Sequence, residues 1–301
     1  MRTSSINSLI IGIALCDLLV LIGAINPFNF KADDPCTNNL SYFYVLANLL
    51  DKMLVDTCTR SSYHLGLSLA VIRVLVITFP MNSKMTQLSK QFIGYYVAFS
   101  MLLLNFLPTA NFYLRMQLFR RDEVWIPPKT CVSFPSNFTA ATYGYTEHSD
   151  FQFVLYQLIS GGLQFFACIA HPIAAILLYL VIRRSARVAT RLSCNIRSER
   201  RRTSHLVLLM TISYVVSSAP MTLNYFLSVV VWSSYIWNIF VSYGEVIVFL
   251  FFTINASMHC LICFIMSSEY RMTVKGLLRA CRRKTMVDVR SMAIKTGNTV
   301  L

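Results

Sequence analysis

Long apolar runs alternate with polar segments along this chain, and six of the runs are long enough to cross a bilayer as helices, which takes about 20 residues. They comprise residues 9–30, 42–79, 92–113, 151–182, 206–232 and 235–266. The third, fourth and fifth runs contain no Asp, Glu, Lys or Arg. We therefore predict an all-α fold, a polytopic transmembrane helical bundle that forms one domain over residues 1–301, with an amphipathic helix and tail at 267–301.

The second run is the most polar of the six, with four charged side chains in its first half. Residues 63–79 are nevertheless apolar apart from His64 and Arg73. Charged residues make up 13% of the whole chain, against about 25% in soluble proteins. Because so few charges are available to solvate a surface, we predict that this run also spans the membrane.

The net charge of +14 would suit a nucleic-acid partner, but the basic residues are concentrated in alternate connections. Eight arginines lie between the fourth and fifth runs, and eight basic residues follow the sixth run, whereas the connection between the fifth and sixth runs has none. The positive-inside rule assigns the basic connections to the cytosol. The pattern predicts a multi-pass plasma-membrane protein whose two termini are cytosolic. It predicts contact with membrane lipid and no nucleic-acid partner.

The connections predicted to face outwards carry their own markers. Glycosylation sequons occur at Asn39 and Asn137, and such sequons are used on extracellular surfaces. Of nine cysteines, only Cys36 and Cys131 lie in these outer connections, where a disulfide is chemically allowed, so we expect them to pair. Cys281 lies in a basic stretch just after the last run and is a candidate for palmitoylation.

A polar stripe follows one face of the second run. At 100° per residue, Asp51 and Arg73 both lie within about 20° of Ser62. Asp56 and Arg60 project more than about 100° away from that stripe. Their four-residue spacing predicts an ion pair within the helix.

Several motifs occur in the order and spacing of a known family. Residues 13–17, Ile-Ala-Leu-Cys-Asp, resemble the Leu-Ala-x-x-Asp signature in the second helix of rhodopsin-like G-protein-coupled receptors. Arg73 with Pro80 is similar to the family's Asp-Arg-Tyr box and loop proline, and Ser62 to its sodium-site serine. Further matches are Pro172, Pro220 and the Asn-Ala-Ser-Met-His segment at 255–259. The segments 69–73, 210–214, 255–260 and 266–271 resemble nematode class W serpentine receptors, which group with FMRFamide-like neuropeptide receptors.

The resemblance implies a receptor that couples an extracellular ligand to a heterotrimeric G protein, and not an enzyme. It implies that Arg73, Pro80 and Met81 take part in coupling. It also implies a polar cluster like the family's sodium site, with an allosteric sodium ion as the one candidate cofactor. The predicted members of this cluster are Asp17, Ser62 and Asn255, which we expect to converge because polar groups isolated in lipid find partners.

The chain departs from the family pattern at several positions. Ile72 replaces the acid before Arg73, and Arg200 stands where an acid could hold that arginine in the inactive state. Ser218 replaces the toggle tryptophan, and Ala256 replaces the seventh-helix proline. The first run corresponds to the family's second helix, so we expect either a truncated sequence or a six-span, non-signalling relic.

Acidic side chains in the outer halves of the spans suggest the class of ligand. An acid inside a span is a functional candidate by default, and the ligand-contact candidates are Asp51, Asp56 and Glu245. Together with acids in the outer connections they should attract a cationic ligand. The resemblance suggests amidated peptides ending in Arg-Phe, while a plain structural alternative is that Glu245 pairs with Lys52.

Other classes of membrane protein fit less well. An ion channel lacks a filter of the Thr-Val-Gly-Tyr-Gly type here, and a transporter should show repeated halves. No His-Glu-x-x-His or Gly-x-Ser-x-Gly motif supports an enzyme. The Cys-x-x-Cys spacing at 260–263 has no second pair, so we predict no metal centre of the four-ligand type. A chemosensory receptor for a small molecule stays open as an alternative.

Overall fold

The computed structural model describes residues 5–24, 36, 40–79, 82–128, 130–131, 134–135, 137–146, 150–188, 194–230, 235–266, 272 and 276. Six long helices account for most of this length. They are α1 (Ser5–Ala24), α2 (Tyr42–Thr78), α3 (Gln91–Tyr113), α4 (Asp150–Val188), α5 (Cys194–Val230) and α6 (Tyr235–Met266). The predicted all-α membrane bundle is confirmed. The amphipathic helix expected after residue 266 lies outside the described residues, apart from positions 272 and 276.

Many large apolar side chains are exposed on the surface of the bundle, where lipid would surround them. Five helices, α1 to α5, are long and apolar enough to cross a membrane, and α6 has an apolar described stretch at Val246–His259. Large side chains such as Phe92, Leu107 and Phe166 point away from the bundle. Soluble proteins rarely expose contiguous apolar surface of this kind. The protein is therefore a multi-pass membrane protein.

Helix α2 lies at the centre of the bundle. It packs against α1, α3, α4 and α5, while α4 packs against α5 and α5 against α6. Residues 57–67 of α2 are all buried, which is the signature of a helix surrounded by others on every side. The first half of the predicted run 42–79, whose charged residues make it the most polar of the six, is thus the start of a central helix of 37 residues.

A β-hairpin covers part of the connection between α3 and α4. Strand β1 (Leu118–Trp125) pairs antiparallel with β2 (Ala140–Tyr145), with a register shift between Arg120 and Val124. The Tyr143 N–H donates to the carbonyl of Leu40 at 2.7 Å, which ties the hairpin to the start of α2. The sequence did not predict these strands, because β1 carries four consecutive charged residues and shows no apolar alternation.

Candidate functional site

A buried polar cluster joins α1, α2 and α6 in the middle of the bundle. The Ser62 hydroxyl donates to Asp17 Oδ1 at 2.6 Å, and His259 Nδ1 lies 3.0 Å from Asp17 Oδ2. All three side chains are buried. Both carboxylate oxygens of Asp17 therefore have a partner, as a charge at this depth requires.

Asn255 belongs to the same region but has a different partner. Its Oδ1 accepts a hydrogen bond from the Ser213 hydroxyl of α5 at 2.9 Å. It lies four residues before His259, so the two side chains share one face of α6. The structure thus brings Asp17 and Ser62 into contact, whereas His259, which the sequence-based prediction left out, takes the third place. The i, i+4 spacing of two polar residues in an apolar helix was the available signal.

Aromatic rings extend this cluster towards α4 and α5. Tyr214 of α5 is completely buried between two imidazoles, with ring centroids 5.1 Å from His171 and 4.4 Å from His259. Tyr63 packs edge-on against it at 5.8 Å and donates its hydroxyl to the Ser217 carbonyl at 3.2 Å. Five helices are therefore linked through side chains around Tyr214.

The close approach of Tyr214 to α2 depends on a glycine. A Cβ atom on Gly66 would overlap the Tyr214 ring, whereas a Cβ on Gly162 of α4 would meet nothing within 4 Å. Because the two histidine rings confine Tyr214, the ring has little room to move aside. Gly66→Ala should therefore destabilise the protein by about 1–3 kcal/mol, the usual cost of overpacking.

The matched control for this prediction is Gly162→Ala. It adds the same methyl group to a helix interior and should be neutral or slightly stabilising, because alanine favours helix over glycine. Thermal unfolding of the purified variants in detergent measures both. Equal melting temperatures for the two variants would show that Gly66 is not required by the packing of Tyr214.

A second buried network lies nearer the hairpin end of α2. The Arg60 guanidinium is fully buried and donates to the hydroxyls of Thr109 on α3 and of Ser160 and Tyr156 on α4, the last at 3.2 Å. Asp56 Oδ2 accepts hydrogen bonds from Tyr113 and Tyr156, both at 2.9 Å. Tyr156 therefore connects the two charges.

The prediction of a direct ion pair between Asp56 and Arg60 is wrong. Within the part of the chain that the structure describes, no ion pair joins the two charges directly. Tyr156 links them, and each side chain turns towards hydroxyl groups on α3 and α4. Hydroxyl donors and acceptors from neighbouring helices can solvate both charges with good geometry. This is a more favourable arrangement for buried ions than a single contact that leaves other lone pairs unsatisfied.

The other candidate ligand contacts lie apart from this network. Asp51 is half-buried and lies against Gly23 of α1, so it occupies a different side of α2 from Asp56. Glu245 is in α6, and its side chain lies outside the described residues. A cavity of about 490 Å³ opens between the first turns of α2, the end of α3 and the start of β1, and Tyr113 is one of its lining residues.

The opposite end of α2 carries the predicted coupling arginine. Arg73 is half-buried and lies five residues before the helix ends at Thr78. Pro80 and Met81 lie outside the described residues, as do Asn39 and Cys281. Asn137 is exposed in a turn of the hairpin connection, and Cys36 and Cys131 form a disulfide with their Cα atoms 5.6 Å apart.

A bundle of helices with an apolar surface and a buried polar centre, in which one helix contacts four others, defines a polytopic helical membrane protein. The chain belongs to the family of serpentine type seven-transmembrane G-protein-coupled chemoreceptors called Srw, which it matches over residues 1–281. No curated protein matches the chain. Membership of this family gives the protein a membrane setting, a G protein as its partner and a receptor role.

Proposed function

We propose that this protein is a rhodopsin-like receptor that converts the binding of an extracellular, FMRFamide-like peptide into activation of a heterotrimeric G protein. The observation that supports this most is the arrangement of polar groups along α2. The Asp56–Tyr156–Arg60 network and the Asp17 cluster both lie in the central turns of α2, the first slightly nearer the hairpin, and Arg73 lies near the far end. One rigid helix thus connects a cavity at one end with the candidate coupling residue at the other.

The orientation of the bundle follows from the distribution of charge. The hairpin end carries the two sequons and the disulfide, and we take it as extracellular. The end with Arg73, the last turns of α4 and the arginine-rich first turns of α5 is then cytosolic. In this orientation a ligand that alters the contacts of Asp56 or Asp51 biases a two-state bundle, and Arg73, Pro80 and Met81 become accessible to the G protein.

The cavity and the nearby acids indicate how such a peptide would bind. The cavity of about 490 Å³ is lined mainly by leucine, methionine and tyrosine, which suits an aromatic side chain. Tyr113 reaches from the cavity wall to the carboxylate of Asp56. A guanidinium group of the ligand can pair bidentately with a carboxylate, and we propose Asp51, Asp56 and Glu245 as the candidates for this contact.

An Arg-Phe-amide peptide should activate the receptor, and loss of its positive charge should weaken the response. The assay is G-protein activation in cells that express the receptor, with the peptide and with its citrulline analogue. Loss of one charge-assisted contact costs about 1.5–3 kcal/mol, so citrulline should lower the potency by roughly tenfold or more. Asp51→Asn, Asp56→Asn and Glu245→Gln identify which carboxylate is responsible.

The control for the acid variants is Asp122→Asn on β1, an exposed acid on the same side of the protein. It should leave the potency unchanged. Equal potency of the arginine and citrulline peptides would rule out the carboxylate contact. The second candidate function is a chemosensory receptor for a small molecule. A receptor that is not activated by such peptides but is activated by small organic molecules would favour it. The cavity volume supports that alternative, since small-molecule sites have about 300–1,000 Å³.

A further inference from the structure

The Asp17 cluster was expected to resemble a sodium site, and its geometry allows a test of that expectation. Sodium is a hard cation, and such ions are held by several oxygen ligands. In this bundle Asp17 Oδ1 is hydrogen-bonded by Ser62, and Asp17 Oδ2 is bonded by a ring nitrogen of His259. The remaining amide oxygen, that of Asn255, accepts from Ser213.

The imidazole of His259 is the feature that does not suit sodium. For the nitrogen to bond a carboxylate, it must carry a hydrogen that points at the oxygen, and that hydrogen occupies the direction from which a cation would approach. Imidazole nitrogen also favours zinc and other transition metals over ions that prefer oxygen. Among the described residues no group of three or more acids, histidines and cysteines could hold a metal ion.

We propose that His259 takes the place of the sodium ion, so that the contact of α1 and α2 with α6 is made by side chains alone and does not depend on sodium. The burial of His259 supports this, since the imidazole is 5% exposed and lies against the Tyr214 ring. The donor is thereby fixed in position by packing from α5. The inference concerns only the Asp17 cluster and does not rest on the identity of the ligand.

The experiment compares melting temperatures of the full chain, purified in detergent, in sodium chloride and in choline chloride at equal ionic strength. The wild type should melt at the same temperature in both salts. His259→Ser removes the ring and supplies a hydroxyl oxygen, so this variant should gain a saturable, sodium-specific rise of a few degrees. Adding Asp17→Asn to His259→Ser should abolish the rise.

A matched control is His64→Ser, which removes another buried imidazole, one that bonds the Arg60 carbonyl. This variant should gain no response to sodium. A sodium-specific stabilisation of the wild type that Asp17→Asn removes would overturn the proposal. A folded His259→Ser variant whose melting temperature is the same in both salts would also overturn it, because the imidazole would then not be the group that excludes the ion.

If His259→Ser does not fold, His259→Gln replaces it in the comparison. The glutamine amide can still donate to Asp17, so this variant should fold and remain as indifferent to sodium as the wild type. A sodium-specific rise in His259→Gln would contradict the proposal, since a donor in this position is what we take to replace the ion.

Discussion

Replacing Arg60 with methionine should lower the free energy of unfolding by about 3–5 kcal/mol, the usual cost of removing one partner from a buried charged network. The guanidinium is fully buried and satisfies hydroxyl groups on both α3 and α4. Without it, the hydroxyls of Thr109 and Ser160 lose their donor, and Asp56 loses the cation to which Tyr156 connects it. Titration of the purified protein with a denaturing detergent measures the loss.

A double variant separates the effect of charge from that of packing. Asp56→Asn in the Arg60→Met background removes the charge left behind and should restore part of the lost stability, because the two sites belong to one network. Arg115→Met, at an exposed arginine just after α3, is the control and should change stability little. Full stability of Arg60→Met would show that the network contributes nothing to folding.

The starts of four of the six helices were predicted to within one residue. By contrast, α1 (Ser5–Ala24) begins four residues before the predicted run 9–30, and α5 (Cys194–Val230) begins twelve residues before the predicted run 206–232. The predicted run 42–79 and the helix Tyr42–Thr78 differ by one residue, and the predicted run 235–266 coincides with α6. In lipid every backbone N–H and C=O must be satisfied within the segment, so a long apolar run has few alternatives to a helix. The 100° periodicity also separated Asp51 from Asp56 correctly, since they lie on different sides of α2.

Partners across the bundle were not predictable in this way. The partners of Asp56 are Tyr113 and Tyr156, which lie 57 and 100 residues further along the chain. Helical periodicity shows which way a side chain points, but it does not show which helix lies opposite. A local ion pair with Arg60 was therefore expected, whereas the tertiary packing of α3 and α4 supplies better partners for both charges.

The replacement of Asn255 by His259 beside Asp17 has a similar cause. Both residues lie on one face of α6, one turn apart, and a family motif drew attention to the asparagine alone. Which of them reaches Asp17 depends on how far α6 is shifted along its axis relative to α1. That shift is fixed by packing, including the contact between His259 and Tyr214. It cannot be predicted from the pattern of apolar residues.

Arg73 lies where helix α2 approaches its end, eleven residues beyond Ser62, which is about 16 Å along the helix axis. An arginine at mid-depth costs about 2.5–3.5 kcal/mol, so we expect its position near the end of α2 to let the charge reach water or phosphate. The half-buried side chain is also placed to meet a partner that binds this end of the bundle. These two roles, solvation and coupling, predict different results on substitution.

Arg73→Ala should abolish G-protein activation while leaving the amount of receptor at the cell surface unchanged, because the half-buried side chain lies near the end of α2. Peptide-stimulated or basal nucleotide exchange by the G protein measures coupling, and surface labelling measures expression. Lys90→Ala is the matched control, since Lys90 is an exposed basic residue at the start of α3, on the same side of the membrane. Undiminished exchange by a well-expressed Arg73→Ala variant would mean that Arg73 only extends its charge to the lipid headgroups and that coupling depends on other residues of this surface.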